Sequence, residues 1–369
     1  MKRRKFITNT VIGATTATAL GACDRSSTSP SIQADSLPKV RWQMATSWSK
    51  SLNTIFGGAE TVCQRVKEMT GGRFQIKPYA AGEIVPALEV LSAVQDNKVQ
   101  CGHTASYFYK GKNLALVFGT AVPFGLNAQQ QNAWFYHGGG LEAIQKIYSD
   151  FNIINFPAGN TGTQMGGWFK REIKSIGDLK GLTMRIPGLG GEVMSRLGVN
   201  TQVLSPGDIF LALERGAIDA AEWVGPYDDE KLGLYKAASL YYYPGWWEPC
   251  ATLEVQVNKS EWEKLPKEYQ EIFKTAAMEA NLNMLAQYDS LNPEALKRLI
   301  ENGTKLTAYS PDILKAAQKV AFELYEENST KDTTFKEIYQ KWNNFRQQIS
   351  QWNQINELSM ANFVSNNQI

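Results

Sequence analysis

Five polar side chains that could bind a charged ligand lie in one aromatic, glycine-rich part of the sequence. They are Asn160, Gln164, Arg185, Glu222 and Glu248, and they stand beside Trp223, Trp246 and Trp247. Single polar groups among apolar and aromatic side chains are typical of a small-molecule pocket. An arginine fork pairs bidentately with a carboxylate, so Arg185 indicates an organic acid as the ligand.

The charges of these residues predict that a cation binds together with the acid. Arg185 contributes one positive charge, and Glu222 and Glu248 contribute two negative charges. A monocarboxylate adds a further negative charge, which leaves a net charge of −2 in a poorly hydrated site. Hard cations bind carboxylate and amide oxygens and reverse the local electrostatics. We therefore predict that a metal ion and an acid occupy the site together.

Three sequence blocks carry a resemblance to a known family. The blocks are NTGTQMGGWF from residue 160, EWVGPYDDEK from residue 222 and YYYPGWWE from residue 241. They resemble those of the extracytoplasmic solute receptors of TRAP transporters, in the subgroup that binds α-keto acids such as pyruvate. The similarity extends from about Val40 to the C-terminal helices. The N-terminal leader and the pair Pro249 and Cys250 depart from the family pattern.

The resemblance implies that the keto acid is held with a sodium ion, and calcium is the alternative ion. Arg185 corresponds to the family's carboxylate-binding arginine, and Gln164 to an amide that binds both the acid and the ion. The remaining metal ligands implied are Glu222, Trp223 and Glu248. Weaker candidates for hydrogen bonds to the acid are Asn160 and Tyr107. Lactate, glutamate and dicarboxylates stay open as alternative ligands.

The resemblance and the alternation of strand and helix patterns together predict an α/β, two-lobed fold like that of periplasmic binding proteins, with a hinge and long C-terminal helices. A βαβαβ pattern begins at Val40. Strands are expected at Met184–Ile186 and at Ala217–Trp223, and the second would carry Glu222 to its carboxyl end, where ligands collect in α/β sheets. The predicted parts are 39–160 for lobe I, completed by about 251–310, then 161–250 for lobe II and 311–369 for a C-terminal helical arm.

The N-terminus predicts export from the cytoplasm. Arg3 and Arg4 precede a short apolar segment and the sequence LGAC, which ends at Cys23. This order resembles a twin-arginine or lipoprotein signal over 1–22, with a lipid anchor at Cys23 and a flexible tether over 23–38. A plain secretory signal is the alternative. The expected location is the periplasm, either free or lipid-anchored.

The last part of the chain carries a heptad pattern. Apolar residues recur at Ile338, Trp342, Phe345, Ile349 and Trp352, and neither proline nor glycine interrupts 334–369. The apolar stripe either covers the chain's own lobe or docks on a second copy. Because the resembling family includes dimers that exchange a long C-terminal helix, a homodimer is one of the two interpretations.

Other features of the sequence are interpreted as structural. Cys63, Cys101 and Cys250 lack metal-site spacing and are expected to be buried, with one disulfide as an alternative. His103 and His137 are interpreted as packed residues. The run from Asp228 to Lys231 is interpreted as a solvated helix start. With 38 basic and 36 acidic residues, the chain has no charge excess that would favour nucleic acid.

The function predicted is that of a ligand-carrying receptor, which delivers an organic acid to membrane permease subunits and catalyses no reaction. The first alternative is an exported hydrolase that uses Glu222 and Glu248 as an acid and base. A second alternative is an adhesion or scaffold protein that uses the C-terminal helices. No serine, cysteine or histidine lies in a nucleophile motif, which favours the receptor.

Overall fold

The computed structural model of the protein describes residues 37–367. From Pro38 onward the chain forms one compact unit. The predicted signal, the lipid-anchor cysteine Cys23 and nearly all of the tether lie outside the described residues. No helix in the described part combines the length and the apolar character needed to cross a bilayer.

Strands and helices alternate along most of the described chain. The strands are β1 Val40–Thr46, β2 Phe74–Tyr79, β3 Cys101–Thr104, β4 Ile153–Asn160, β5 Trp168–Phe169, β6 Thr183–Arg185, β7 Asn200–Gln202, β8 Ala220–Ala221, β9 Leu240–Tyr243, β10 Thr252–Asn258 and β11 Lys305–Ala308. The α-helices are α1 Ile55–Met69, α2 Val90–Gln95, α3 Ala128–His137, α4 Gly140–Ser149, α5 Gly188–Arg196, α6 Ile209–Glu214, α7 Pro226–Leu232, α8 Leu234–Ala237, α9 Lys259–Glu263, α10 Lys267–Glu301, α11 Pro311–Lys331, α12 Thr333–Ile355 and α13 Glu357–Asn366. Short 3-10 helices span Ser106–Tyr109, Leu114–Gly119, Ile176–Leu179 and Pro206–Asp208.

The strands form two mixed sheets, which confirms the α/β, two-lobed fold. The first sheet has the order β2-β1-β3-β10-β4, and the second has the order β11-β9-β5-β8-β6-β7. We call the elements around the first sheet the first lobe and those around the second sheet the second lobe. The predicted βαβαβ start is present as β1, α1, β2, α2 and β3, because α1 buries a helically spaced apolar face against parallel strands.

One predicted boundary needs correction. Residues 251–310 were expected to complete the first lobe, but β11, at the end of that range, pairs in parallel with β9 of the second sheet. The cause is the length of α10, whose 35 residues span about 52 Å at 1.5 Å per residue. The helix therefore packs on the first lobe near its start and carries the chain to the second lobe at its end.

One element near the predicted pocket also differs from expectation. The strand expected over Ala217–Trp223 is limited to β8, which ends just before Glu222. Helix α5 begins at Gly188, three residues after Arg185. Gly188 has a φ of +63°, and a Cβ on Gly190 would lie 2.7 Å from the Cβ of Trp247. These two glycines serve a turn and close packing.

The C-terminal stripe divides into a packed part and an exposed part. Trp342 is buried and its ring lies 5.4 Å from that of Phe118 in the first lobe. Ten residues later, Trp352 is 58% exposed. The predicted uninterrupted helix also breaks at Asn356, between α12 and α13. The stripe therefore covers the chain's own lobe only over its first half.

Candidate functional site

Adjacent parallel strands bring Arg185 and Glu222 together. In the second sheet, Arg185 pairs in register with Ala221, so Arg185 and Glu222 stand at the carboxyl ends of β6 and β8. The Glu222 amide donates to the Arg185 carbonyl at 3.3 Å. This is the edge at which α/β sheets collect ligands, as the sequence predicted.

The guanidinium group of Arg185 is bonded on one side only. Its Nη1 donates to the Glu222 carbonyl at 2.9 Å and to the Glu222 carboxylate. Its Nε and Nη2 have no hydrogen-bond partner, although both are buried. These two nitrogens form the side-on fork of the guanidinium, which matches the two oxygens of a carboxylate. The structure therefore fixes Arg185 through Glu222 and leaves its second edge free.

Two loops bring Gln164 and Glu248 to the same place. The Gln164 amide donates to the Glu248 carbonyl at 3.2 Å, which ties the loop after β4 to the loop after β9. The Gln164 side chain donates to Thr161 Oγ1 at 3.3 Å, while its Oε1 has no partner. One carboxylate oxygen of Glu248, Oε2, is also buried without a partner. The site thus presents unpaired acceptors next to the unpaired donors of Arg185.

Aromatic side chains form the walls of the site. The Arg185 guanidinium lies 5.3 Å from the centre of the Trp223 ring, within the range of a cation–π contact. The indole nitrogens of Trp223, Trp246 and Trp247 are buried and lack hydrogen-bond partners. Tyr107 reaches the site from the first lobe. Its hydroxyl is close enough to Glu248, Glu222 and Arg185 for their charges to act on it. Burial is the main cause that raises the pKa of Tyr107 well above its usual value.

The polar groups of this site are sealed from solvent. Gln164, Arg185, Glu222 and Glu248 are each at most 4% exposed. Buried polar atoms in proteins are almost always paired, and an unpaired one costs roughly 1–3 kcal/mol. Donors and acceptors left unpaired side by side are best explained by a guest that carries a carboxylate for the donors and a positive charge for the acceptors.

The electrostatics of the two glutamates support this interpretation. Burial raises the pKa of Glu222 to about 7, although the charge of Arg185 opposes the rise. Burial also raises the pKa of Glu248 well above its ordinary value of 4.5, and the neighbouring charge of Glu222 adds to the effect. Both shifts disfavour the ionised carboxylates, and the positive charge of Arg185 opposes them only in part. A bound cation would add positive charge and favour the ionised forms.

The oxygens present fit a hard cation, provided that the guest supplies some of the ligands. Within residues 37–367 there is no group of three or more His, Cys, Asp or Glu side chains suited to a metal ion. The two glutamates have one unpaired oxygen each, and Gln164 adds an amide oxygen. Sodium and calcium accept carboxylate, amide and backbone carbonyl oxygens together with ligand oxygens. A site of this kind is incomplete without the acid.

Asn160 has a different position from the other candidates. Its side-chain Nδ2 donates to Thr252 Oγ1 at 3.2 Å, and its Oδ1 accepts from the Gly162 amide at 2.9 Å. Both polar atoms are thus engaged within the protein. Asn160 ends β4 and shapes the loop that carries Gln164, so the structure gives it a supporting position.

The prediction of a solvated Asp228–Lys231 start was wrong for the two aspartates, which are buried. Asp229 accepts from Trp168 Nε1 and Tyr241 OH at 2.8 Å each, and also from two backbone amides at 3.1 Å. Asp228 accepts from Tyr288 OH of α10 at 2.7 Å. These bonds fix α7 directly after Glu222 and Trp223. The side-chain donors Trp168, Tyr241 and Tyr288 are distant in sequence, so no local pattern could have indicated these bonds.

The remaining structural interpretations hold except for His137, which is exposed at the end of α3 and not packed. Cys63, Cys101 and Cys250 are buried free thiols. His103 is fully buried, where it accepts from Trp48 Nε1 at 2.7 Å and bonds the Ala158 carbonyl at 3.1 Å. Burial lowers the pKa of His103 to about 4, so the ring is neutral.

Comparison with known families gives a match over most of the chain. Residues 44–332 match the family described as bacterial extracellular solute-binding protein, family 7. The monocarboxylate 2-oxoacid-binding periplasmic protein of Nostoc sp. is 67% identical over 368 residues, which cover 100% of this chain and 100% of that protein.

Two solved structures of TRAP solute-binding proteins superpose closely on this chain. One is from Bordetella bronchiseptica, a mixed-occupancy dimer with copurified calcium and picolinate in one active site versus an apo site. It is 48% identical, covers 89% of this chain and 97% of its own, and has a TM-score of 0.88. The other is from Pseudoalteromonas atlantica, with bound sodium and pyruvate. It is 37% identical, covers 88% of this chain and 99% of its own, and has a TM-score of 0.85.

Proposed function

Because the chain belongs to family 7 of the bacterial extracellular solute-binding proteins, we propose that its sealed site binds a 2-oxo monocarboxylate together with a cation. The protein is then a receptor of a TRAP transporter and not an enzyme. The observation that carries the proposal is the free Nε and Nη2 edge of Arg185 beside the unpaired oxygens of Gln164, Glu222 and Glu248.

The relatives support a chelating acid as the ligand. Picolinate and pyruvate, which the two solved relatives bind, share one chemical property. Each has a second donor atom next to the carboxylate, so each can close a five-membered ring on a metal ion. An ordinary monocarboxylate lacks this second donor. The Nostoc relative is named for 2-oxoacids, which have the same property.

Each residue of the site has a role in this proposal. Arg185 would bind the carboxylate through its free fork, while its bond to Glu222 keeps the fork oriented. The ion would be held by the free oxygens of Glu222, Glu248 and Gln164, with the Trp223 carbonyl as a further ligand. It would supply the positive charge that the acid and the two glutamates lack. Sodium is our first choice for the ion and calcium the second.

The surrounding residues would set how the acid is enclosed. The rings of Trp223, Trp246 and Trp247 offer apolar walls and unpaired N–H groups, and Tyr107 covers the site from the first lobe. Closure of the two lobes excludes water, which strengthens the electrostatic contacts. We place the hinge where the chain passes from residues 39–160 to residues 161–250, and where it passes from residues 161–250 to the segment that begins at residue 251. Opening would release the acid to the membrane permease.

Calorimetry with pyruvate provides the direct test. Pyruvate is titrated into the protein in sodium chloride, and separately in choline chloride of equal ionic strength with calcium removed by chelation. We expect binding in sodium and strongly reduced binding in choline. Propionate, which lacks the keto oxygen, is the matched ligand control and should bind more weakly. Equal affinity for pyruvate in both salts would contradict the proposal that a cation binds with the acid. Absence of heat in sodium chloride would contradict the proposal that the protein binds 2-oxo acids.

We also propose that the protein forms a homodimer through the C-terminal helices. Six apolar side chains from the end of α12 through α13 are 46–71% exposed: Trp352, Ile355, Leu358, Met360, Phe363 and Val364. An apolar stripe of this length on a monomer indicates a missing partner surface. The Bordetella relative is described as a dimer.

Light scattering after gel filtration tests the dimer. The wild-type protein should run at twice the chain mass of 41.1 kDa, less any processed leader. Phe363→Asp should shift it toward the monomer, because a charge in an apolar interface is unfavourable. Asn362→Asp adds the same charge to the same helix and is the control. A monomeric wild-type protein would refute the interface.

The N-terminal sequence supports a further proposal about location. The family is extracytoplasmic, and we propose that Cys23 carries a lipid anchor, because LGAC follows the charged pair and apolar segment in the order of a lipoprotein signal. Detergent phase partition of cell extracts tests this. Wild-type protein should enter the detergent phase and Cys23→Ser the aqueous phase. Aqueous partition of both would favour the plain secretory signal.

A further inference from the structure

A polar contact joins the two lobes next to the binding site. Lys110 follows the 3-10 helix Ser106–Tyr109 in the first lobe, and its Nζ donates to the Gly188 carbonyl at 3.1 Å. The same Nζ lies 2.5 Å from the carboxylate of Glu192. Gly188 and Glu192 belong to α5 of the second lobe, which starts three residues after Arg185. Lys110 therefore bonds the helix that follows the carboxylate-binding strand.

A second polar contact joins the lobes elsewhere. Asn53 stands just before α1 in the first lobe, and its side-chain oxygen accepts from Tyr227 OH at 3.3 Å. It also accepts from Lys231 Nζ. Tyr227 and Lys231 lie on α7, which begins four residues after Glu222. Both contacts thus attach the first lobe to helices that directly follow site residues.

An aromatic contact accompanies these two polar contacts. The ring of Trp48, in the first lobe, lies 6.3 Å from the ring of Trp223 at an angle of 65°. The indole of Trp48 is fixed by its hydrogen bond to His103. Contact between rigid rings requires that the lobes approach closely. All three contacts are therefore features of one closed arrangement.

The acid and cation ligands do not themselves join the lobes. Gln164, Arg185, Glu222 and Glu248 all lie between the end of β4 and the start of β10, on the second sheet or the loops beside it. A ligand bound to these residues gains little direct attachment to the first lobe apart from Tyr107. Something else must help to hold the first lobe in place over the site.

We propose that Lys110 and Asn53 form an interlobe clamp that stabilises the closed form and sets the rate at which the ligand leaves. The clamp consists of the contacts of Lys110 with Gly188 and Glu192 and of Asn53 with Tyr227 and Lys231. It rests on the proposed function, since a receptor must close on its ligand and open again. None of the clamp residues belongs to the proposed ligand-binding set, so they would act through closure alone.

The expected size of the effect follows from exposure. The side chains of Lys110 and Glu192 are 29% and 35% exposed, so solvent screens their attraction. Partly exposed ion pairs change an equilibrium by roughly two- to fivefold. A closing contact acts on the closed state, so this factor should be found in the dissociation rate and much less in the association rate.

Stopped-flow tryptophan fluorescence with pyruvate in sodium chloride tests the clamp. Lys110→Gln and Glu192→Gln should each raise the dissociation rate about two- to fivefold. The double variant should match Lys110→Gln, because that single variant already removes the ion pair with Glu192. The double variant Lys110→Glu with Glu192→Lys reverses both charges and should return the dissociation rate part of the way to the wild-type value. Asn53→Ala should raise the dissociation rate separately.

Two variants of equal charge change serve as controls. Lys274→Gln removes a lysine that pairs with Glu271 within α10, and Glu279→Gln removes a carboxylate that pairs with Arg65 on α1. Both pairs lie within the first lobe and should leave the dissociation rate unchanged. Unchanged rates in Lys110→Gln and Glu192→Gln, or additive effects in the double variant, would overturn the clamp.

A second measurement tests the clamp without ligand. It remains informative if the wild-type protein fails to bind pyruvate, because that failure would contradict only the proposed function. Spin labels are placed at Lys98→Cys in the first lobe and Glu214→Cys in the second, both exposed positions. The distance distribution of the ligand-free protein reports the closed fraction. Lys110→Gln should lower that fraction, and an unchanged distribution would refute the clamp.

Discussion

Arg185 presents two different edges of one guanidinium. One edge is bonded to Glu222, and the other edge is free for a carboxylate. Removing the side chain altogether would therefore leave Glu222 as a buried carboxylate without its partner, which is strongly destabilising in proteins. Loss of binding in Arg185→Ala would then be difficult to separate from loss of stability. A substitution that keeps the charge is the better probe.

Arg185→Lys is expected to weaken pyruvate binding by about 1.5–3 kcal/mol, or roughly 10- to 150-fold, because an ammonium group lacks the side-on fork. Calorimetry in sodium chloride measures this change. The thermal midpoint of the ligand-free variant is the control, since lysine can still pair with Glu222. Unchanged affinity would show that the fork does not bind the acid.

Glu222→Gln is expected to reduce the dependence of pyruvate binding on sodium. The substitution removes one negative charge from the ligand set of the cation, and the apparent affinity in sodium should fall at least tenfold, about 1.4 kcal/mol. Affinity is measured over a sodium series at constant ionic strength. Glu254→Gln, a buried carboxylate in the first sheet, is the matched control. Stronger binding by Glu222→Gln without sodium would contradict the cation argument.

Among the elements, α12 combines two different surfaces on one helix. Its first half packs on the 3-10 helix Leu114–Gly119 and on α11, through rings such as Trp342 and Tyr339. The last turn of α12, together with α13, exposes apolar residues to solvent. The spacing of the apolar residues is the same in both halves of α12. Whether a half is buried or exposed therefore depends only on where the neighbouring elements lie.

Two tryptophans on α12 provide a matched comparison. Trp342→Ala should lower the free energy of unfolding by about 3–5 kcal/mol, because a fully buried ring is replaced by a cavity. Trp352→Ala should change the stability of the monomer by less than about 0.5 kcal/mol, since the ring is mostly exposed. Urea unfolding at low protein concentration measures both. Equal losses would mean that the C-terminal half also packs on its own chain.

The first sheet contains a buried carboxylate outside the site. Glu254 on β10 accepts from Asn155 Nδ2 at 2.6 Å, from Gln256 Nε2 at 2.8 Å and from Tyr148 OH. Burial is the main cause that raises the pKa of Glu254 from 4.5 to about 7, while these hydrogen bonds oppose the rise. The folded protein therefore holds a proton that the unfolded chain releases between those two pH values.

A raised pKa of this kind stabilises the folded state at low pH. The contribution of Glu254 is complete below about pH 4.5 and is lost as the pH rises through about 7. Glu254→Gln should therefore show a smaller loss of stability between pH 5 and pH 8 than the wild type, measured by urea unfolding without ligand. Asp178→Asn is the control, because hydrogen bonds at the backbone of Ser175 lower the pKa of that exposed carboxylate and move its effect below this range. An equal slope in wild type and Glu254→Gln would refute the assignment.

At the scale of the whole molecule, closure connects binding with stability. The unpaired donors and acceptors of the site lie in a chamber with almost no access to solvent. A guest that pairs them removes a cost that the ligand-free closed form must carry. Joint binding of the acid and the cation should consequently stabilise the folded protein more than the sum of the effects of the acid alone and the cation alone.

Pyruvate and sodium together should raise the free energy of unfolding by about 2.7 kcal/mol at a ligand concentration one hundred times the dissociation constant. Pyruvate in choline chloride, and sodium chloride without pyruvate, should each give a much smaller increase. Thermal unfolding in these three conditions, and in choline chloride without pyruvate as the reference, measures the increase. Additive effects of acid and salt would contradict joint binding in one chamber.

The sequence by itself indicated the candidate site residues and much of the fold. Residue types alone indicated an acid and a cation, because charges in a dry pocket must balance. Periodicity located β1, α1, β2 and β3, because short-range backbone preferences dominate in regular elements. The position of Glu222 at a strand end was also recognisable from local sequence.

Tertiary structure decided the features that depend on residues distant in the chain. Asp229 on α7 is buried because Trp168 on β5 and Tyr241 on β9 supply hydrogen-bond donors. Strand β11 joins the second sheet because α10 is long enough to carry the chain across both lobes. The free edge of Arg185 and the clamp at Lys110 likewise exist only when separate elements meet. Such pairings have no local sequence pattern, since each partner is chosen by the packing of the whole molecule.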